Sequence, residues 1–310
     1  MATEAFGEAR QEREITITKR NNQMKDSKLT LKAHEQHVSV IDLGRGISCG
    51  GKELLIIAGP CTVENSRQMK IVGDKLQSGP INAIRGGVFK PRTSPYAFQG
   101  LGEEGLVMLA ATGERLNVPI VSEVMSCEQL QLMQDRVDVL QVGSRNMQNF
   151  ELLKELGRQN KPVLLKRGLS ATIEEFVMAA EYLLCHGNQN VILCERGIRS
   201  FDSFTRNVFD LGAVVALKQL THLPVIADPS HACGKRELVA SLARAAVAAG
   251  ADGLMIECHP EPEKSVSDAR QALSLEEMLT LADSIRPIAE AVGRSLAPVR
   301  AKREFAEVSV

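Results

Sequence analysis

Eight short apolar runs between residues 54 and 259 limit most strongly what this sequence can become. They read LLIIAGP (54–60), AIRGGVF (83–89), PIVSEV (119–124), VLQVG (139–143), PVLLKRG (162–168), VILCERG (191–197), PVIADPSH (224–231) and GLMIECH (253–259). A run that is apolar at consecutive positions is buried on both faces, the habit of parallel strands covered by helices. The segments between them carry helical signals. Residues 172–186 place Ile173, Phe176, Val177, Ala180, Leu183 and Leu184 on one stripe, open on Thr172 with Glu175 three residues later, and close on Gly187. Ser126 with Gln129 and Ser274 with Glu277 repeat the opening signal, and residues 237–250 are rich in Ala and Leu and end on Gly. After Arg286 a final helix is expected to run to about Ser295. Eight strand–helix units in series predict an α/β fold of the (β/α)8 TIM-barrel type, with an open doubly wound sheet as the alternative. All eight runs end in polar, Gly or His residues, which a barrel would gather at one mouth, and this favours the barrel.

The flanks read differently. Residues 1–35 are polar and charged without a sustained period, and are expected to be a flexible N-terminal arm. Residues 36–51 hold a weakly alternating VSVIDL (38–43) and a Gly-rich stretch, which predicts a short N-terminal hairpin covering one end of the barrel. The barrel itself is expected over 52–296, and 297–310 is expected to be a frayed C-terminal tail. Composition excludes several function classes. A net charge of -1 gives no field for nucleic acid or an acidic membrane, and 4% aromatic residues with no Trp leave no stacking platform for bases. No apolar run is long enough to span a bilayer. Seven scattered cysteines without a framework spacing, and no signal peptide, read as reduced thiols of a cytoplasmic protein.

Residues 83–96 (AIRGGVFKPRTSPY) concentrate the chemistry. Arg85, Lys90 and Arg92 follow a strand onto a loop that Pro91 and Pro95 stiffen, and Gly86 and Gly87 allow close approach. Such an array suits a small substrate rich in phosphate and carboxylate oxygens, although a solvated basic turn has the same composition. The other runs end on Cys61, Glu123, Arg145 (after Ser144), Lys166 and Arg167, Glu195 with Arg196 and Arg199, Asp228 with His231, and Glu257 with His259, followed by Glu261, Glu263 and Asp268. Many cations at one mouth repel each other unless an anion sits among them, so the substrate is expected to be polyanionic. In a closed barrel the first and eighth strands are neighbours. Cys61, His231, Glu257 and Asp268 then converge as a mixed site for one borderline divalent metal: Mn, Fe, Co, Zn or Cu. Taken singly, each is more often a packing or solvated residue. Cys233, close behind His231, is a candidate to trap Cys61 as a disulfide if the metal is lost. GLGEEG (100–105) matches a dinucleotide fingerprint but follows no strand directly, and is expected to open a helix with Glu103 and Glu104 in its first turn.

Seven motifs in order, AGPCTVE (58–64), RGGVFKPRTS (85–94), QVGSRN (141–146), LKRG (165–168), CERG (194–197), DPSH (228–231) and ECHPEPE (257–263), closely resemble 3-deoxy-D-arabino-heptulosonate 7-phosphate (DAHP) synthases. The branch is the smaller one, related to 3-deoxy-manno-octulosonate 8-phosphate synthases. The resemblance spans roughly residues 36–285. It implies an enzyme that condenses phosphoenolpyruvate with erythrose 4-phosphate at the entry to aromatic amino acid biosynthesis, using a divalent metal on Cys61, His231, Glu257 and Asp268. It assigns phosphoenolpyruvate to Arg85, Lys90, Ser144, Arg145, Lys166 and Arg196, and the aldose phosphate to Lys90, Pro91, Arg92 and Thr93. The octulosonate enzymes carry Ala-Asn-Arg where this chain has Pro91, Arg92 and Thr93, which favours the four-carbon sugar; arabinose 5-phosphate is the alternative. Lys90 is the candidate general acid, with a metal-bound water as its rival, and Glu123 the candidate for positioning the attacking water. Cys61 and His231 complete the expected catalytic set. The family suggests a homotetramer or homodimer. With about 35 polar residues ahead of the hairpin, no fused regulatory domain and no aromatic amino acid feedback through one are expected, while a separate regulatory partner stays open.

Overall fold

The computed structural model of the chain describes residues 24–92 and 94–299. Strands β1 (Ile41–Gly44) and β2 (Ile47–Cys49) form an antiparallel hairpin, turned by Arg45 and Gly46 at φ of 56° and 71°. Eight parallel strands follow: β3 (Glu53–Gly59), β4 (Ala83–Arg85), β5 (Ile120–Glu123), β6 (Val139–Val142), β7 (Val163–Lys166), β8 (Val191–Glu195), β9 (Val225–Ala227) and β10 (Gly253–Glu257). Each pairs with the next, and the sheet closes where Gly253 lies opposite Leu55 and Glu257 opposite Gly59. The expected (β/α)8 barrel and its hairpin are therefore the observed fold. In β3, Leu54, Leu55, Ile56 and Ile57 are at most 1% exposed. Burying each such side chain stabilises the fold by about 1.5–3 kcal/mol, which is why consecutive aliphatic residues, not alternating ones, mark these strands.

The connecting helices are α1 (Ser66–Leu76), α2 (Glu103–Leu116), α3 (Cys127–Met133), α4 (Phe150–Gly157), α5 (Ile173–Cys185), α6 (Leu211–Leu220), the short α7 (Pro229–Cys233), α8 (Arg236–Ala248) and α9 (Leu275–Ala291). Their starts follow the local signals. Thr172 and Glu175 exchange bonds of 2.8 and 3.1 Å, and Ser274 and Glu277 bonds of 2.6 and 3.1 Å, so both predicted capping boxes form. At Ser126 only half of the box forms: Gln129 Oε1 accepts from Met125 N instead. GLGEEG opens α2, with Glu103 and Glu104 in the first turn. The separate final helix expected after Arg286 is corrected. α9 is continuous through Pro287, whose missing N–H falls on the exposed side of the helix, and Ser295–Leu296 then forms β11 beside Glu53 and Leu54.

The chain also departs from the expected flexible arm. Residues 1–23 and 300–310 lie outside the described residues, but 24–35 dock across the end of the barrel that carries the strand N-termini. Glu181 of α5 accepts from the backbone N–H groups of Lys28, Leu29 and Thr30 at 2.8 to 2.9 Å, and from the Thr30 hydroxyl at 2.9 Å. His222 Nε2 meets Leu29 O at 2.7 Å, and Leu31 bridges to Thr221. Composition alone hides this attachment, because partners more than 150 residues away in the chain supply it. At the same end buried Asp252 holds Lys218 Nζ (2.6 Å), Val225 N (2.7 Å) and Arg294, tying α6, β9 and the C-terminal strand together. Burial works against ionisation of Glu181, but the three N–H donors outweigh it and hold its carboxyl below the ordinary 4.5.

Replacing Glu181 leaves three backbone N–H groups without an acceptor, so Glu181→Ala is expected to cost on the order of 3 kcal/mol and to free residues 28–30 for amide exchange. A folded-state value below the unfolded one means that this stability is complete above the ordinary Glu range and is lost as pH falls through the lower folded value. Denaturation of Glu181→Ala with an unchanged midpoint and unchanged acid sensitivity would contradict the assignment.

Candidate active site

At the opposite end, the strand C-termini open into a cavity of about 370 Å³. The four residues after β9 show how local sequence places a side chain. Asp228 ends the strand and caps α7: its Oδ1 accepts from His231 N at 2.9 Å, and Pro229 occupies the first helical turn, where no N–H is missed. Asp228 Oδ2 then receives both His231 Nδ1 at 2.8 Å and Lys166 Nζ, from the end of β7, at 2.6 Å. Burial works against ionisation of Asp228, but these neighbours outweigh it and hold the carboxyl well below its ordinary value.

The sulfur, imidazole and carboxylate donors of Cys61, His231, Glu257 and Asp268 lie within 4.8 Å of one another. Barrel closure brings Glu257 beside the β3 end that leads to Cys61, and Asp268 reaches in from the next loop with a left-handed φ of 54°. The Cys61 thiol donates to Asp268 Oδ2 at 3.1 Å and accepts from Lys90 Nζ at 2.9 Å; Lys90 also donates to Cys61 O at 3.0 Å. Gly87 makes this possible, since a Cβ there would lie 2.7 Å from Cys61 O and 2.9 Å from Lys90 Cδ.

These residues fit a divalent ion on their own chemistry. Because His231 Nδ1 donates to Asp228, its Nε2 carries the lone pair, a tautomer assigned from the partner. That lone pair faces Glu257 Oε2 at 3.5 Å and Asp268 Oδ2 at 3.9 Å, a repulsive arrangement that a cation would relieve. Burial, only partly offset by Asp228, pushes His231 down to about 3, so the ring is neutral, as a ligand must be. Burial, opposed by Arg85, pushes Glu257 up to about 7, and burial with the nearby Glu257 raises Cys61. Glu257 Oε1 is buried with no hydrogen-bond partner among the described residues. One thiol, one imidazole and two carboxylates match the preference of a borderline divalent ion.

Arg85, Lys90, Pro91, Arg92, Glu123, Ser144, Arg145, Lys166, Arg196, His231 and Asp268 all line the cavity, together with Gln141, Arg199, Arg206 and Asn207. Cys61 and Glu257 lie behind it, and Thr93 lies outside the described residues. Eight of the lining side chains are cationic and two are carboxylates. Among the described residues Arg85 Nη1 and Arg92 Nη2 are buried without an acceptor, and Arg85 comes only to 3.8 Å from Glu257 Oε2. The Arg196 guanidinium donates to Gly197 O at 3.4 Å, and burial lowers its affinity for the proton. An anionic ligand is the partner these groups lack. Glu123 Oε2 accepts from Gln141 Nε2 at 3.3 Å and occupies space that only a glycine at 143 leaves open.

Several strand-end residues are not part of this arrangement. Arg167 pairs with Glu195 (2.9 Å) and Asp210 (3.0 Å) as a buried strut under the loop after β8. His259 pairs with Glu64 at 3.3 Å, while Glu261 and Glu263 pair at the surface with Lys264 and Arg236. All seven cysteines are free; the Cys233 S–H is directed at Lys235 O at 3.2 Å, while Cys61 is engaged by Lys90 and Asp268. Sequence reasoning assigned no role to Arg206, Asn207 or Gln271. Only the fold brings them to the site, and no local spacing marks them.

Comparison with known proteins agrees with this geometry. Residues 25–293 match the DAHP synthetase I family. The phospho-2-dehydro-3-deoxyheptonate aldolase of Thermotoga maritima is 44% identical over 270 residues, covering 87% of this chain and 80% of that protein. Its crystal structure superposes with a TM-score of 0.84 over 87% of this chain and 78% of that one. A truncated form of 3-deoxy-D-arabino-heptulosonate 7-phosphate synthase from Thermotoga maritima is 40% identical with a TM-score of 0.80, covering 86% of this chain and 97% of that one. More distantly, a 2-dehydro-3-deoxyphosphooctonate aldolase of Geobacter sp. (strain M21) is 33% identical, covering 77% and 93% of the two chains. Matched along most of its length in sequence and in barrel geometry, the chain belongs to the DAHP synthetase I family.

Proposed function

We propose that this protein condenses phosphoenolpyruvate, erythrose 4-phosphate and water to 3-deoxy-D-arabino-heptulosonate 7-phosphate and phosphate, the first step of the shikimate pathway. The observation that carries this reading is the adjacency, at one barrel mouth, of four convergent metal donors and a cavity lined by eight cationic side chains. A divalent ion on Cys61, His231, Glu257 and Asp268, whether Mn, Fe, Co, Zn or Cu, would supply Lewis acidity toward the aldehyde oxygen of the sugar.

The chain's own residues do the rest. Arg85, Lys166, Arg196 and Arg145, with Ser144, hold the carboxylate and phosphate of phosphoenolpyruvate, while Pro91, Arg92 and Thr93 seat the aldose phosphate. This offsets like charges and holds C3 of the enol against the aldehyde carbon. As the C3–carbon bond forms, Lys90, placed between the two subsites, gives a proton to the new alkoxide. Glu123 orients a water for addition at C2, after which the C2–O bond to phosphate breaks and phosphate leaves. Asp228 keeps His231 in the tautomer that leaves Nε2 free. The reading places the enzyme in the cytoplasm as a homodimer or homotetramer, and no helix among the described residues is long and apolar enough to cross a membrane.

Phosphate release on mixing both substrates is expected to stop with a chelator and return with added divalent ion. Cys61→Ala is expected to lower turnover by at least about 100-fold, the scale of losing several kcal/mol of Lewis-acid stabilisation; full turnover of this variant in metal-free buffer would overturn the metal-dependent reading. Given erythrose 4-phosphate and arabinose 5-phosphate side by side, the enzyme is expected to consume the four-carbon sugar, and preference for the five-carbon one would assign it to the octulosonate branch. Glu123→Gln is expected to reduce kcat roughly 100-fold or more, and near-normal turnover would remove Glu123 from water addition.

A further inference from the structure

We propose that Arg206 and Asn207 are positioning residues of the metal centre, holding two of its four donor groups and the main chain of a third donor residue from outside, and thereby setting its affinity for a divalent ion. This rests on the metal-dependent reading above and deepens it. The two residues lie on the segment between β8 and α6, which begins with the cavity residues Arg196 and Arg199.

Arg206 Nη1 donates to Asp268 Oδ1 at 3.1 Å and to Gln271 Oε1 at 3.0 Å. Gln271 Nε2 in turn donates to Glu257 Oε2 at 2.8 Å. One guanidinium thus engages one carboxylate directly and a second through an amide, while leaving Asp268 Oδ2 turned toward Cys61 and His231. Asn207 Nδ2 donates to His231 O at 3.0 Å, at the residue that presents the imidazole. Two main-chain bonds of 2.9 Å, Arg206 N to Cys233 O and Asn207 N to Ala232 O, pin the pair onto α7. Two glycines let it lie flush. A Cβ at Gly234 (φ 65°) would fall 2.6 Å from Arg206 Cβ, and one at Gly197 (φ 85°) would fall 2.9 Å from Asn207 Cβ.

Stability does not account for the ion pair at the head of this arrangement. The Arg206–Asp268 pair has side chains 39% and 25% exposed, and a pair so open to solvent adds little to folding. Partners behind metal ligands instead limit how the ligands can turn, so the donors do not have to be ordered when the ion enters.

The test uses the full chain stripped of metal, titrated with Co²⁺ in competition with a chelator, and read by affinity and by the absorption band of a thiolate bound to cobalt. Arg206→Ala is expected to fold with an unchanged melting temperature when metal-free, to bind Co²⁺ roughly 10–100-fold more weakly, and to show a shifted band. Arg206→Lys, which keeps a donor near Asp268, is expected to fall between it and the unaltered protein. Should Arg206→Ala not fold, Gln271→Ala carries the same expectation through Glu257. Binding by these variants within about twofold of the unaltered protein, with the same band, overturns the proposal alone. Absence of a Cys61-dependent band in the unaltered protein overturns the metal reading as well.

Discussion

The pairing of the last barrel strand with the first is the constraint on which the rest of the molecule depends. It sets Glu257 opposite Gly59, and the Cys258 N–H donates to Gly59 O at 3.0 Å, so chain segments from opposite ends of the domain become neighbours. The pairing needs a glycine at 253, because a Cβ there would stand 2.6 Å from Leu55 O. Through this closure a thiol that follows β3 and a carboxylate that ends β10 share one small volume. His231 and Asp268 arrive on the two segments flanking β10. A slip of one residue in this register would turn Glu257 to the other face and dissolve the cluster.

The barrel mouth is electrostatically incomplete by construction. On one side acceptors face acceptors: the lone pair of His231 looks at two carboxylates, and burial raises Glu257 toward neutrality. On the other side Arg85 Nη1 and Arg92 Nη2 are buried without an acceptor among the described residues. Uncompensated buried polar groups destabilise a fold, and they persist where binding satisfies them. Asp228 sits at the seam, serving Lys166 toward the cavity and His231 toward the donors with the same oxygen. That sharing makes the position of Lys166 and the orientation of the imidazole mutually dependent.

The opposite end of the barrel does different work. There Asp252 and Glu181 gather cations and backbone N–H groups into satisfied networks, and the hairpin and residues 24–35 cover the strand N-termini. Charge is matched with charge at this end and left open at the other, a division of stability from chemistry that suits a barrel of this kind.

Much of this was legible from residue order alone. Continuous aliphatic runs such as 54–57 announced buried parallel strands, Thr172–Glu175 and Ser274–Glu277 announced helix starts, and the polar strand ends announced one functional mouth, because each signal is local and its physics operates within a few residues. Cys61, His231, Glu257 and Asp268 could be grouped once a closed barrel was assumed, since closure makes the first and last strands adjacent. Tertiary structure alone decided the rest. It separated Arg167 and Glu195, which satisfy one another, from Arg85 and Arg92, each of which keeps a buried nitrogen without an acceptor among the described residues. It docked residues 24–35 against Glu181, Thr221 and His222, and it placed Arg206, Asn207 and Gln271 behind the donors. Hydrogen-bond partners depend on distances between residues far apart in the chain, and those distances exist only after the barrel has closed.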